Sequence, residues 1–110
     1  MSFNVLLTAD AVRDLEELHQ YIIQHDTSGK AQQVLTKIEK TINNLSEHPK
    51  RGVYPQELSA LGIREYREIF FKPYRLIYRV SGDKVYVMLI ADGRRDMQSL
   101  LQRRLLEKEI

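Results

Sequence analysis

"YREIFFKPYRLIYRV", residues 66–80, decides the fold. Two runs rich in aromatic and branched side chains flank Lys72-Pro73, and a proline in such a pattern separates strands rather than continuing one. The second run alternates, with Tyr74, Leu76, Tyr78 and Val80 on one face and Arg75, Ile77 and Arg79 on the other. Downstream, "SGD" (81–83) suits a tight hairpin into a third apolar run, "KVYVMLIA" (84–91). The strands therefore read as "REYREIFF" (64–71), "YRLIYRV" (74–80) and "KVYVMLIA" (84–91).

Upstream the period changes. "FNVLL" (3–7) reads as a short strand, and Thr8 is placed to cap a helix with Asp10 in its first turn. Ala11, Leu15, Leu18 and Ile22 follow at helical spacing, which carries that helix to about Gln24. "HDTSGK" forms a turn with Ser28 as the expected cap of a second helix, whose stripe is Ala31, Val34, Leu35, Ile38, Ile42 and Leu45 and whose end is His48-Pro49. So short a turn makes a helical hairpin. Residues 50–63, with two glycines and a proline and no clean period, form the long connection to the sheet, and Met97, Leu100, Leu101 and Leu105 mark a last helix. The expected architecture is one α+β domain over residues 1–110: an N-terminal strand, a helical hairpin packed on an antiparallel sheet, and a short C-terminal helix.

Composition narrows the functions. The chain has no cysteine, which excludes disulfides, thiol catalysis and cysteine-ligated zinc. Its longest apolar run, Val85 to Ala91, is too short to span a bilayer, and its start lacks the pattern of a secretory signal, so a cytoplasmic protein is expected. His19 and His25 fall on different helix faces with no carboxylate cluster, which argues against a metal site, and no cofactor is expected. "TSGK" lacks the upstream glycine and the hydroxyl residue of a phosphate loop. The tyrosines at 21, 66, 74, 78 and 86 read as amphipathic core residues.

Charge is segregated. Residues 1–63 hold 6 Lys/Arg against 8 Asp/Glu, whereas residues 64–110 hold 11 against 7. Arg75 and Arg79 stand on the face away from the helical hairpin, where Arg67 is expected to join them. In "IADGRRDMQSLLQRRLL" (90–106), Arg94 and Arg95 follow Gly93, and Arg103 and Arg104 come two helical turns later. A basic half suits an anionic partner. The competing reading is structural: strand arginines paired with Glu65 or Glu68, and a "DGRRD" helix start with Asp92 as cap and Gly93 as turn residue.

The element order, together with "YREIFFKPYRLIYRV" and "VYVMLIADGRRDMQSLL", resembles the RelE/ParE superfamily of toxins from type II toxin–antitoxin systems. The resemblance covers nearly the whole chain and implies a toxin neutralised by a small antitoxin with a DNA-binding N-terminus and an acidic C-terminus. The superfamily's branches differ in target: RelE-like toxins cleave mRNA on the ribosome, and ParE-like toxins poison DNA gyrase. The nuclease cations of the first branch fall on Arg67, Arg75 and Arg95. Its second sheet lysine falls on Ile69 or Phe70, its C-terminal tyrosine falls near Leu101, and Asp92 stands where other nucleases of the superfamily carry a histidine. Arginine is a poor base at neutral pH, so the cations lack a proton carrier and the resemblance favours the ParE-like branch, with no catalytic residue. On that reading Arg94, Arg95, Arg103 and Arg104 meet the target, and Arg67, Arg75 and Arg79 meet the antitoxin in a hetero-oligomer. A metal-independent endoribonuclease and a degenerate toxin that only binds antitoxin are the alternatives.

Overall fold

A computed structural model describes residues 2–107. Strand β1 (Asn4–Leu7) leads directly into α1 (Ala9–His25), whose N-cap Thr8 accepts a hydrogen bond from the Ala11 amide at 3.1 Å. Helix α2 (Ser28–Asn43) is capped by Thr27, whose hydroxyl accepts from the Lys30 amide at 3.0 Å. Ser28, expected as the cap, is instead the first helical residue, because Thr27 is the one with extended backbone. A single 3₁₀ turn (Asn44–Ser46) buries Leu45, and a short helix α3 (Gln56–Ser59) lies within the connection that the sequence left without a period.

Strands β2 (Arg67–Phe71), β3 (Tyr74–Ser81) and β4 (Lys84–Asp92) form an antiparallel meander, and β1 joins it in parallel beside β4, giving the order β1-β4-β3-β2. The β3–β4 hairpin closes on Gly82 at φ 61°, with Ser81 paired to Lys84 across a two-residue loop; a glycine at the first central position is what a type II′ turn requires. A bulge follows: Ile77 pairs with Leu89 and Tyr78 with Val87, so Met88 is the extra residue.

The sheet has a core on each side. Toward the helical hairpin, Leu76, Tyr78, Val85, Val87 and Ile90 pack on Ala11, Ile22, Ala31, Ile38 and Ile42. On the other side, Ile77 and Leu89 pack on Leu58 of α3, on Tyr66, and on Met97, Leu100 and Leu101 of helix α4 (Met97–Leu101), with Leu105 of the following π-turn (Gln102–Leu106) laid against them. Alternation in β3 therefore runs as the sequence reads, but the arginine-bearing face is not open to solvent. It is a second interior, roofed by α3 and α4.

Gly52 anchors the connection to the sheet. Its amide donates to the Tyr78 hydroxyl at 3.0 Å, and a Cβ there would lie 2.7 Å from the Glu68 carbonyl oxygen. Neighbouring Val53 exchanges backbone hydrogen bonds with Glu68, which covers the start of the β2 edge.

Candidate functional site

The sequence directs attention to the arginines, and the fold gives each a different environment. Arg75 is drawn inward. Its Nε donates to Glu68 Oε1 at 2.7 Å, and both of its Nη atoms donate to the Glu57 carboxylate at 2.8 Å. The Glu68 side chain is only 6% exposed and that of Arg75 14%, so the charges are compensated away from bulk water. The guanidinium beside Glu57 holds that carboxyl below the ordinary glutamate range, and the two glutamates raise Arg75 in turn. The structural reading of Arg75 as a partner of Glu68 is thus the observed one, with Glu57 added.

Arg67 does not join Arg75 and Arg79 on their face. In the β2–β3 register it stands opposite Tyr78, while Phe70 stands opposite Arg75. Arg67 turns toward the connection, donating to the Gly52 carbonyl at 2.9 Å and to the Tyr54 hydroxyl at 3.2 Å. A one-residue step along a strand exchanges faces, which separates Arg67 from the arginines of β3.

Arg94 and Arg95 lie at the mouth of a groove of about 430 Å³ between α1 and the end of β4, lined also by Tyr21, Leu18, Tyr74 and Asp92. Arg94 folds back on Asp92: its backbone N–H and Nε both donate to Asp92 Oδ1 at 2.9 Å, which pulls the Asp92 carboxyl below its ordinary value. Burial pushes the Tyr74 phenol up. Arg95 is exposed and sends its side chain into no ion pair among the described residues. Asp92, expected as a helix cap, is occupied by Arg94. The cap of α4 is Asp96, whose carboxylate accepts from both the amide and the hydroxyl of Ser99. Gly93 has no positive φ; what requires glycine there is space, since a Cβ would sit 2.9 Å from Arg75 Cδ and 3.2 Å from the Pro73 carbonyl oxygen. Tyr21, expected in the core, is 59% exposed and stacks on His25 at 4.1 Å.

Arg103 is exposed, and Arg104 is not available in the same way. Strand β1 ends at Leu7, so the outer edge of β4 beyond Val87 has no strand beside it. Asp14 of α1 accepts from the Ile90 amide at 3.0 Å, and Arg104 donates to the Met88 carbonyl at 3.0 Å while forking onto Asp14 at 2.9 Å through both Nη atoms. Two side chains thus complete an edge that lacks a strand. Glu57, Asp14 and Tyr54 are the partners that the sequence reading missed. The strands have a period that announces their faces, but nothing in the sequence ties residue 57 to residue 75 or residue 14 to residue 104.

Leu101, near which the resemblance places the tyrosine of a nuclease, is fully buried in the second core. Among the described residues, no group of three or more His, Asp or Glu side chains is arranged to hold a metal ion.

A strand, a helical hairpin, a three-stranded meander and a short helix, closed into one mixed sheet, define a toxin of the RelE/ParE superfamily. More narrowly, the model of the ParE toxin of type II toxin–antitoxin systems, parDE, matches residues 5–97, and the chain belongs to that family. It is 27% identical over 97 residues to toxin ParE3 of Caulobacter vibrioides, covering 88% of this chain and 93% of that one. Among solved structures it resembles a chain of the chromosomal ParDE system of P. aeruginosa, with TM-score 0.70 and 18% identity over 83% of this chain and 96% of that one. It also resembles a chain of the RelBE2 toxin–antitoxin complex of Mycobacterium tuberculosis (TM-score 0.62, 20% identity, 84% and 99% coverage). A mutant of E. coli toxin RelE in the free state aligns with TM-score 0.61 and 16% identity, over 96% of this chain and all of that one.

Proposed function

We propose that this toxin arrests growth by inhibiting DNA gyrase without catalysis, and that a cognate antitoxin holds it inactive in a hetero-oligomer. The observation that carries the reading is the saturation of Arg75. Metal-free RNA cleavage needs cations free to hold charge on the developing phosphorane and a group to move protons. Here one of the three matching cations, Arg75, is already neutralised by Glu57 and Glu68. Leu101 supplies no proton carrier, and Asp92 is pulled low by Arg94. Of the four arginines read as target contacts, Arg94 and Arg95 line the α1–β4 groove and Arg103 is exposed on the C-terminal turn, and these are the residues we assign to the target. Arg104 is tied to Asp14 and the Met88 carbonyl and joins α1 to β4. Arg67 and Arg79, which are partly exposed, are the residues we assign to an acidic segment of the antitoxin, whereas Arg75 is engaged by Glu57 and Glu68. Among the described residues, no helix is long and apolar enough to cross a membrane.

The test is pulse labelling of DNA and protein synthesis immediately after induction, with purified gyrase assayed in parallel. DNA synthesis falls first, cells filament, and cleaved or unrelaxed plasmid accumulates in vitro. An immediate collapse of translation with codon-phased mRNA cuts, and no effect on gyrase, overturns the proposal and returns the function to a nuclease of Arg67, Arg75 and Arg95.

A further inference from the structure

Where β2 stops at Arg67, the last residues of β3, from Arg79 to Ser81, pair only with β4 and leave their other side without a strand. A cleft of about 360 Å³ opens there, lined by Tyr54, Arg64, Glu65, Arg67 and Arg79 together with Val80 and Ser81. Arginines from three elements line it, Arg64 from the connection, Arg67 from β2 and Arg79 from β3, with Arg67 reaching the cleft around the end of β2 from the opposite face of the sheet. Arg67 and Tyr54 make a fixed wall, because Arg67 is tied to the Gly52 carbonyl and to the Tyr54 hydroxyl while its guanidinium lies 4.7 Å from the centre of the Tyr54 ring. Arg64 lies over the same ring at 5.8 Å.

Arg79 has a different standing. Its Nε is buried, and among the described residues it is the one buried side-chain polar atom without a hydrogen-bond partner. A charged donor removed from water and left without an acceptor is costly, and because the Arg79 side chain lines the cleft, a small turn of it would bring that donor to an acceptor bound there. A carboxylate is already at hand: Glu65 lines the cleft, yet it forms no ion pair with any of the three arginines. A planar carboxylate is satisfied by a single guanidinium fork, whereas a tetrahedral phosphate presents acceptor oxygens in several directions and carries the larger charge.

We infer that this cleft is a binding site for a phosphate group, carried by a small phosphorylated molecule or by a nucleic-acid backbone, with Arg79, Arg67 and Arg64 as its donors. The site lies away from the α1–β4 groove, and because it shares Arg67 and Arg79 with the surface proposed for the antitoxin, a bound phosphate and the antitoxin's acidic segment would compete for it.

The experiment uses the purified full-length protein, labelled with ¹⁵N, and follows the arginine Nε–Hε signals. Sodium phosphate, a single-stranded decathymidylate and an oligoglutamate peptide are titrated separately at constant ionic strength set with chloride. Arg79 Hε shifts saturably with phosphate and not with chloride. Arg79→Lys, which keeps the charge but loses the Nε donor, and Arg64→Gln each weaken phosphate binding about tenfold. Glu65→Gln, which removes a like charge facing the ligand, tightens it about threefold. Tighter binding of the oligonucleotide than of phosphate identifies a backbone as the source; equal affinity at the site identifies a small phosphorylated ligand. An Arg79 signal that ignores phosphate, a response equal to that of chloride, tighter binding of oligoglutamate, or an Arg79→Lys protein that folds and binds undiminished overturns the proposal. The titration of the unsubstituted protein decides even if a variant does not fold.

Discussion

Arg75 and Arg79 sit four residues apart on one face of one strand, and the molecule treats them as opposites. At the Arg75 end, α3 and β2 bring Glu57 and Glu68 within 2.8 Å of the guanidinium, and the second core closes over the pair. At the Arg79 end, β2 has already stopped, no strand pairs with that side of β3, and a buried Nε is left without an acceptor. The same residue type in the same strand pattern is an internal tie in one place and a donor without an acceptor in the other. Positive charge counted along a chain is therefore not positive charge presented to a partner: the fold decides which arginines it keeps for itself.

The largest effect expected is at the closed end. Arg75→Ala leaves Glu68 buried without its cation, which should cost about 3 kcal/mol or more of unfolding free energy, read as a lower urea midpoint. The double variant Arg75→Leu/Glu68→Leu should recover much of that loss, because no uncompensated charge remains. If Arg75→Ala alone proves neutral, the two ends of β3 do not differ as described.

A smaller effect follows at the outer member of the same cluster. Glu57→Gln should cost about 1 kcal/mol at neutral pH. Since the folded protein holds the Glu57 carboxyl below its ordinary value of 4.5, this stabilisation is fully present above that value and disappears as pH falls from there through the lower folded one. The difference between the original and the variant midpoints should therefore shrink on acidification below about pH 4.5. A gap that stays constant down to pH 3 would remove Glu57 from the account.

The smallest effect on stability belongs to the exposed pair. Replacing Arg94 and Arg95 together by alanine should leave circular dichroism, the urea midpoint and antitoxin binding unchanged within replicate error while relieving growth arrest. An unfolded or markedly weakened double variant would mean that these arginines, like Arg75, are structural.

The strand-rich run 66–91 determined the meander, because alternation in β3 and the Pro73 and Gly82 breaks depend only on neighbouring residues. Thr8 and the apolar stripes likewise determined the helical hairpin through spacing that is local to each helix. The arginines were legible as residues but not as a site. Whether Arg75 is free depends on Glu57, eighteen positions away in a segment without a period, and whether Arg104 is free depends on Asp14, ninety positions away. The face of Arg67 depends on where β2 starts relative to β3, and Gly93 is needed for the room it leaves to Arg75 rather than for its own dihedral angle. Those are distances across the fold. A sequence fixes periodicity and capping, which act within a few residues; pairing between charges acts through space, and only the packed sheet with its two cores decided which of them meet.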